Sequence, residues 1–191
     1  MVVYSNLAVL IAVSKATIYT VILQAGLGPS RAMSHSFKAV SLSFKKAPLA
    51  IRELLALDEP ACRRFLQQLH TELHLSDLLV LSTCNRTEVY YAHDDDQSAA
   101  IIQALGQLKH RIDIGSFAPY FDRYNEAEAA TRHLFEVAIG LDAQVVGDLQ
   151  IINQVKLAYQ WAADADVAGP FLHRLLHTIF FTNKQIGRAH V

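Results

Sequence analysis

The chain has 191 residues, 52% of them apolar and 18% charged, with a formal net charge of -1. That composition excludes an intrinsically disordered chain and suffices for one good core with an appendage, or for two small domains. No basic excess marks a large nucleic-acid surface, although a local patch is enough for an RNA partner.

Residues 1–32 are rich in Val, Ile and Leu, but Ser14 and Lys15 interrupt the run. The stretch lacks the positive n-region of a signal peptide and an unbroken apolar span of about 20 residues. It reads as an upstream extension of uncertain status, with Met33 as a start, and no membrane is expected. From Met33 the pattern is orderly. Phe37–Phe44 alternates and predicts a strand, and Lys45-Lys46-Ala47-Pro48 breaks it. Ala50–Leu57 and Glu59–His74 read as helices. Leu78–Ser82 and Thr87–His93 read as strands joined by a polar turn. Asp94-Asp95-Asp96 is a solvated helix start rather than a metal site, because three adjacent aspartates cannot all face one ion. Gln97–His110 is the next helix and Ser116–Phe121 a short strand. This order predicts an α+β fold, a ferredoxin-like βαββαβ sandwich followed by C-terminal helices. Those helices are a segment capped by Asn125 and closed by Gly140, then Gln150–Ala163, then Phe171–Ile186 after the Gly169-Pro170 break.

The chemistry concentrates in the turn at residues 82–88, Ser-Thr-Cys-Asn-Arg-Thr-Glu. Cys84 is surrounded by small polar groups and one cation, a setting suited to attack on an activated acyl group and its capture as a thioester. Arg86 can favour the thiolate or hold a substrate carboxylate through its guanidinium fork. Thr83, Asn85 and Thr87 offer polar contacts, and Glu88 can orient Arg86. A lone cysteine reads equally well as an inert packed residue. Cys62, in a helical stretch, is read that way, and two cysteines in such unlike settings point to a reduced, cytoplasmic protein. His133, at the edge of the apolar face of HLFEVAIGLD, is a candidate base. His70/His74 and His173/His177 have metal-compatible i, i+4 spacing, but no Glu or Cys completes either pair, so both read as solvated helix faces and no metal is assigned.

These residues form a pattern. Ser82–Glu88, then His133-Leu134-Phe135 with Gly140-Leu141-Asp142, then Gly147-Asp148-Leu149-Gln150-Ile151 with Gln154-Val155-Lys156, resemble glutamyl-tRNA reductase. Ala47-Pro48 with Arg52-Glu53 also resembles that family's opening segment. The resemblance runs from about Phe37 to Gly187. It implies NADPH-dependent reduction of glutamyl-tRNA to glutamate-1-semialdehyde, the first step of the C5 route to tetrapyrroles such as haem. It further implies that Cys84 forms the glutamyl thioester and that His133 assists at the reacting carbonyl. Thr83, Asn85, Arg86 and Gln150 would bind the substrate. A homodimer and a downstream glutamate-1-semialdehyde aminomutase are the implied protein partners.

The departures are Ala143 for serine, Asp148 for glutamate, Leu149 for proline, and Ser43-Phe44 for Asn-His. No Gly-x-Gly-x-x-Gly occurs, so no NADPH-binding residue is assigned in this chain. The expected organisation is an extension (1–32), a catalytic domain (33–165) and the start of a spinal helix (166–191), with the NADPH-binding and dimerisation domains absent. Such a chain is expected to form the thioester without reducing it. Two other functions fit the residues: a cysteine-dependent esterase or acyltransferase acting on glutamyl-tRNA, and a non-enzymatic module binding tRNA or a reductase. The second is motivated by Leu172, Leu175, Leu176, Ile179 and Phe180, expected to form an uncovered apolar face.

Overall fold

The computed structural model describes residues 36–111, 113–145 and 150–188. The extension 1–32, Met33, and the departures Asp148 and Leu149 lie outside the described residues. Strands β1 (Phe37–Ser43), β2 (Ser76–Ser82), β3 (Arg86–Ala92) and β4 (Phe121–Tyr124) form one sheet in the order β2-β3-β1-β4, antiparallel at each pairing. β1 and β2 therefore run parallel, with β3 inserted between them, which is the split βαβ arrangement. Helices α1 (Leu49–Leu55) and α2 (Glu59–Leu73) make the crossover from β1 to β2. Helix α3 (Ser98–Leu108) follows β3, and α4 (Ala127–Ala138), α5 (Gln150–Asp164) and α6 (Pro170–Arg188) follow β4.

Alternation along the strands feeds two cores. Val40, Leu42, Leu78, Val80, Val89 and Tyr91 point to one face and pack with α1, α2 and α3. Phe37, Ala39, Leu79, Leu81 and Tyr90 point to the other and pack with α4, α5 and α6. A sheet buried on both faces needs apolar residues in both phases, which is why Leu78–Leu81 is an unbroken apolar run.

This overturns the expectation of an exposed apolar face on the last helix. Leu172, Leu175, Leu176 and Ile179 are fully buried in the second core, and Phe180 packs against it. Each such side chain contributes roughly 2 kcal/mol when buried. Four of them approach the net stability of a whole domain, so α6 docks on the sheet. A second correction concerns Ser116–Phe121. Residues Ile114–Tyr120 form a 3-10 turn and the strand starts at Phe121. Pro119 has no N–H for the ladder, and both the amide and the hydroxyl of Ser116 donate back to the Asp113 carbonyl, at 2.9 and 2.7 Å. A third concerns Asn125, whose amide donates to Asp96 at 3.0 Å while Glu126 takes the cap position of α4. Gly140, at φ 77°, ends that helix region as expected of a left-handed residue. No helix among the described residues is long and apolar enough to cross a membrane.

Candidate active site

Cys84 lies in the hairpin turn between β2 and β3, and it is exposed. Thr83 and Asn85 on either side are half-buried. The turn is closed by the Thr83 amide donating to the Arg86 carbonyl at 2.8 Å, and by the Asn85 amide donating to Thr83 Oγ1 at 3.1 Å. The Phe44 amide, just past β1, donates to the Asn85 carbonyl at 2.9 Å. From below, Arg52 on α1 donates Nη1 to the Cys84 carbonyl at 2.6 Å and to Asn85 Oδ1 at 3.0 Å. Short hydroxyl-bearing side chains and an asparagine favour such local closure over a longer strand.

Behind the turn a polar network is buried against the second core. Its hub is Glu88, which is fully buried. Register places Ser41 opposite it on β1, and Ser41 Oγ donates to Glu88 Oε1 at 2.7 Å. Arg86 Nη1 donates to the same oxygen at 3.0 Å, and the Tyr90 hydroxyl donates to Oε2 at 2.6 Å. His133 Nε2 is 3.0 Å from Oε1. Burial alone would raise the Glu88 pKa. His133 and Arg86 beside it, with the Tyr90 hydrogen bond, outweigh burial and hold the carboxyl down at about 2. The same carboxylate, added to burial, drives the Tyr90 phenol well above its ordinary value.

Arg86 is 2% exposed. Its second arm, Nη2, bonds the Asp142 carbonyl and reaches Asp142 Oδ1 at 3.4 Å. Asp142 Oδ2 in turn meets Lys45 Nζ at 2.6 Å. Two cations thus meet two carboxylates at this site, and a buried pair of this kind holds because each charge is also hydrogen-bonded. The guanidinium fork expected to grip a substrate carboxylate is held by Glu88 and Asp142 in this state.

His133 is buried on α4. Its Nδ1 faces Asp142 Oδ2 at 3.7 Å, and Tyr124 stacks on the ring with centroids 4.3 Å apart and planes 14° apart. Together with Lys45, Tyr124, Arg132, Glu136 and Asp142 it lines an open cleft of about 460 Å³. Burial, reinforced by Asp122 and Glu88, pushes the Tyr124 phenol up to about 12, so it stays protonated.

The structure thus joins Arg86 and His133 through Glu88 and Asp142. Cys84 is not part of that network: it sits in the exposed turn that precedes β3, and His133 is bonded to Glu88, within β3. Gln150 opens α5, exposed. Ala143 follows Asp142 and is half-buried. Among the described residues no group of three His, Cys, Asp or Glu can hold a metal ion. His173 and His177 are both exposed, as expected of a solvated helix face, and on that face His173 Nδ1 bonds the Tyr159 hydroxyl and its ring lies 4.3 Å from that of His177. Ser41, Tyr90, Tyr124, Lys45 and Arg52 are site residues that sequence reasoning missed. The readable signals were charged and hydroxyl residues spaced by two within buried strands, and an arginine in the apolar LAIRELL helix.

Comparison with known proteins now decides the family. Residues 40–189 match the family described as glutamyl-tRNA(Glu) reductase, N-terminal domain. The chain belongs to this family. Among its relatives, the glutamyl-tRNA reductase of Cytophaga hutchinsonii is 54% identical over 154 residues, covering 81% of this chain and 36% of the relative. That of Pelobacter propionicus is 39% identical over 148 residues, covering 77% and 34%. The solved glutamyl-tRNA reductase from Methanopyrus kandleri superposes with a TM-score of 0.64 at 26% identity, over 81% of this chain and 35% of that one. The chain spans about a third of the length of the reductases it matches.

Proposed function

We propose that this chain carries out the acyl-transfer half of glutamyl-tRNA reduction, with Cys84 as nucleophile. The Cys84 sulfur attacks the ester carbonyl of glutamyl-tRNA. A C–S bond forms, the C–O bond to the terminal ribose breaks, and the ribose oxygen takes a proton as tRNA leaves. An aminoacyl ester is already activated, so a positioned thiolate is a sufficient attacker. The observation that carries this reading is the exposed thiol in a hydrogen-bonded turn, directly before the buried Arg86–Glu88–His133 network.

The glutamyl group has one ammonium and one side-chain carboxylate. The cleft beside His133 offers both signs, Lys45 and Arg132 with Glu136 and Asp142. Thr83, Asn85 and Arg86 bound the approach to the thiol, and Gln150 is a further substrate-binding candidate. The resemblance supports His133 as the imidazole that assists the reaction, and Glu88 holds its ring in orientation.

In the family the hydride is supplied by NADPH. The described residues do not fit that cofactor: the sheet is antiparallel at every pairing, whereas a dinucleotide site is built on a parallel crossover with a glycine-rich turn. The resemblance also supports a second copy of the chain and glutamate-1-semialdehyde aminomutase as partners. Free thiols at Cys62 and Cys84 fit a reducing compartment such as the cytoplasm.

Without added nicotinamide cofactor, water is the remaining acyl acceptor, and the thioester returns free glutamate and thiol. Labelled glutamyl-tRNA incubated with the protein therefore loses its label faster than with the Cys84→Ser variant. Equal rates for the two would remove the nucleophile.

A further inference from the structure

We propose that Arg52 is a positioning residue for the Cys84 nucleophile. The catalytic consequence rests on the acyl-transfer reading above, and the geometry does not. Arg52 is 9% exposed, on a seven-residue helix whose other buried residue is Leu55. Among the described residues it forms no ion pair. Its three hydrogen bonds go to neutral oxygens: Nη1 to the Cys84 carbonyl at 2.6 Å and Asn85 Oδ1 at 3.0 Å, and Nε to the Ala47 carbonyl at 3.2 Å.

A buried guanidinium without a carboxylate is costly, and an apolar side chain of similar size would fill the space more cheaply. What the cation supplies here is connection. One nitrogen holds both the residue that carries the thiol and its successor, and the rigid fork ties them to the loop entering α1. The neighbouring bonds point the same way. The Leu57 amide donates to Ser82 Oγ at 2.8 Å, and Thr87 Oγ1 donates to the Leu55 carbonyl at 3.4 Å. The end of α1 therefore grips both feet of the hairpin, and Arg52 grips its tip. Inside the turn the Thr83–Arg86 and Asn85–Thr83 bonds close the loop, and Arg52 adds a contact to the Cys84 carbonyl itself, fixing the backbone from which the thiol projects. A misplacement of about 1 Å is enough to cost on the order of a hundredfold in rate.

The test uses Arg52→Lys, Arg52→Gln and Arg52→Ala in the whole chain. Single-turnover formation of the Cys84 thioester is followed against glutamyl-tRNA concentration. The maximal rate is expected to fall by at least about tenfold in the Gln and Ala variants, with half-saturation moving less than about threefold. Millimolar guanidinium restores much of the lost rate to the Ala variant, and the Lys variant falls between Gln and wild type. Amide exchange at Phe44, Thr83 and Asn85 accelerates about tenfold in Arg52→Gln, while Val89 and Tyr91 keep the wild-type rate. Unchanged exchange at those three amides overturns the proposal, whatever the chemistry. So does a wild-type maximal rate in Arg52→Gln, a Lys variant as impaired as Gln, or an Ala variant that guanidinium does not rescue. If the wild-type protein forms no thioester, the acyl-transfer reading has failed, and the exchange rates still decide whether Arg52 holds the turn.

Discussion

His133 Nε2 stands 3.0 Å from Glu88 Oε1, the same oxygen that accepts from Ser41 and Arg86. One carboxylate therefore orients the imidazole and the guanidinium together. Its charge is part of the fold. The Glu88 carboxyl is held at about 2 in the folded chain, against 4.5 as its ordinary value. A depressed pKa contributes stability that is fully present above the unfolded value and is lost as pH falls through the folded one. The shift corresponds to roughly 3 kcal/mol, disappearing between about pH 4.5 and pH 2. Urea unfolding across that range is expected to show this loss in the wild type. In Glu88→Gln, already weaker at neutral pH by about 3 kcal/mol or more because Arg86 loses a buried partner, the gap to wild type narrows as pH falls. A constant gap would contradict the hub role.

The two cysteines are expected to react differently. Cys84 is exposed, whereas Cys62 is buried in α2 beneath the first core. Burial, with Asp58 and Glu59 adding to it, pushes the Cys62 thiol up to about 12. Iodoacetamide at mildly alkaline pH should label Cys84 in the folded protein and leave Cys62 intact until denaturant is added. Peptide mapping reads this directly, and labelling of both at one rate in the folded chain would refute it.

Much of the fold was legible in local pattern. The alternation of Phe37–Ser43 and the apolar run before the thiol turn are both strands. What local pattern could not convey was the second face. Whether Leu172 and Leu176 are exposed depends on the sheet showing Leu79 and Leu81 to them, a long-range fact. The site divides the same way. Cys84, Arg86 and His133 were visible as residue types in motifs. Ser41 joins them only because β1 pairs with β3 in a register that sets it opposite Glu88, and Tyr124 only because β4 brings it under His133. The fork of Arg86 was expected to face substrate because Asp142 lies 56 residues away, and nothing local shows that it closes on that arm.

Helix α6 is tied to the sheet by a cap from a distant strand. Asp77, at the start of β2, accepts from the Leu172 amide at 2.8 Å, and the Leu78 amide donates to the Val167 carbonyl at 3.0 Å. A methyl group at Gly169 would stand 2.5 Å from the same Asp77 oxygen. Asp77→Ala is expected to cost about 1–2 kcal/mol, the usual value of a lost helix cap. Asp77→Asn should cost less than half of that, since it keeps the acceptor and tolerates the positive φ of 47°. Chemical denaturation of the three proteins separates these outcomes, and an Asn variant as weak as Ala would remove the cap from the account.

The central claim is that Cys84 accepts the glutamyl group. It is tested most directly by rapid acid quench of the protein with excess glutamyl-tRNA, followed by intact mass and peptide mass spectrometry. The account predicts a hydroxylamine-sensitive glutamyl adduct on the peptide containing Cys84, absent from Cys84→Ser. Loss of glutamyl-tRNA at an undiminished rate with no adduct at Cys84 in the wild type, or an adduct that persists in Cys84→Ser, would contradict it.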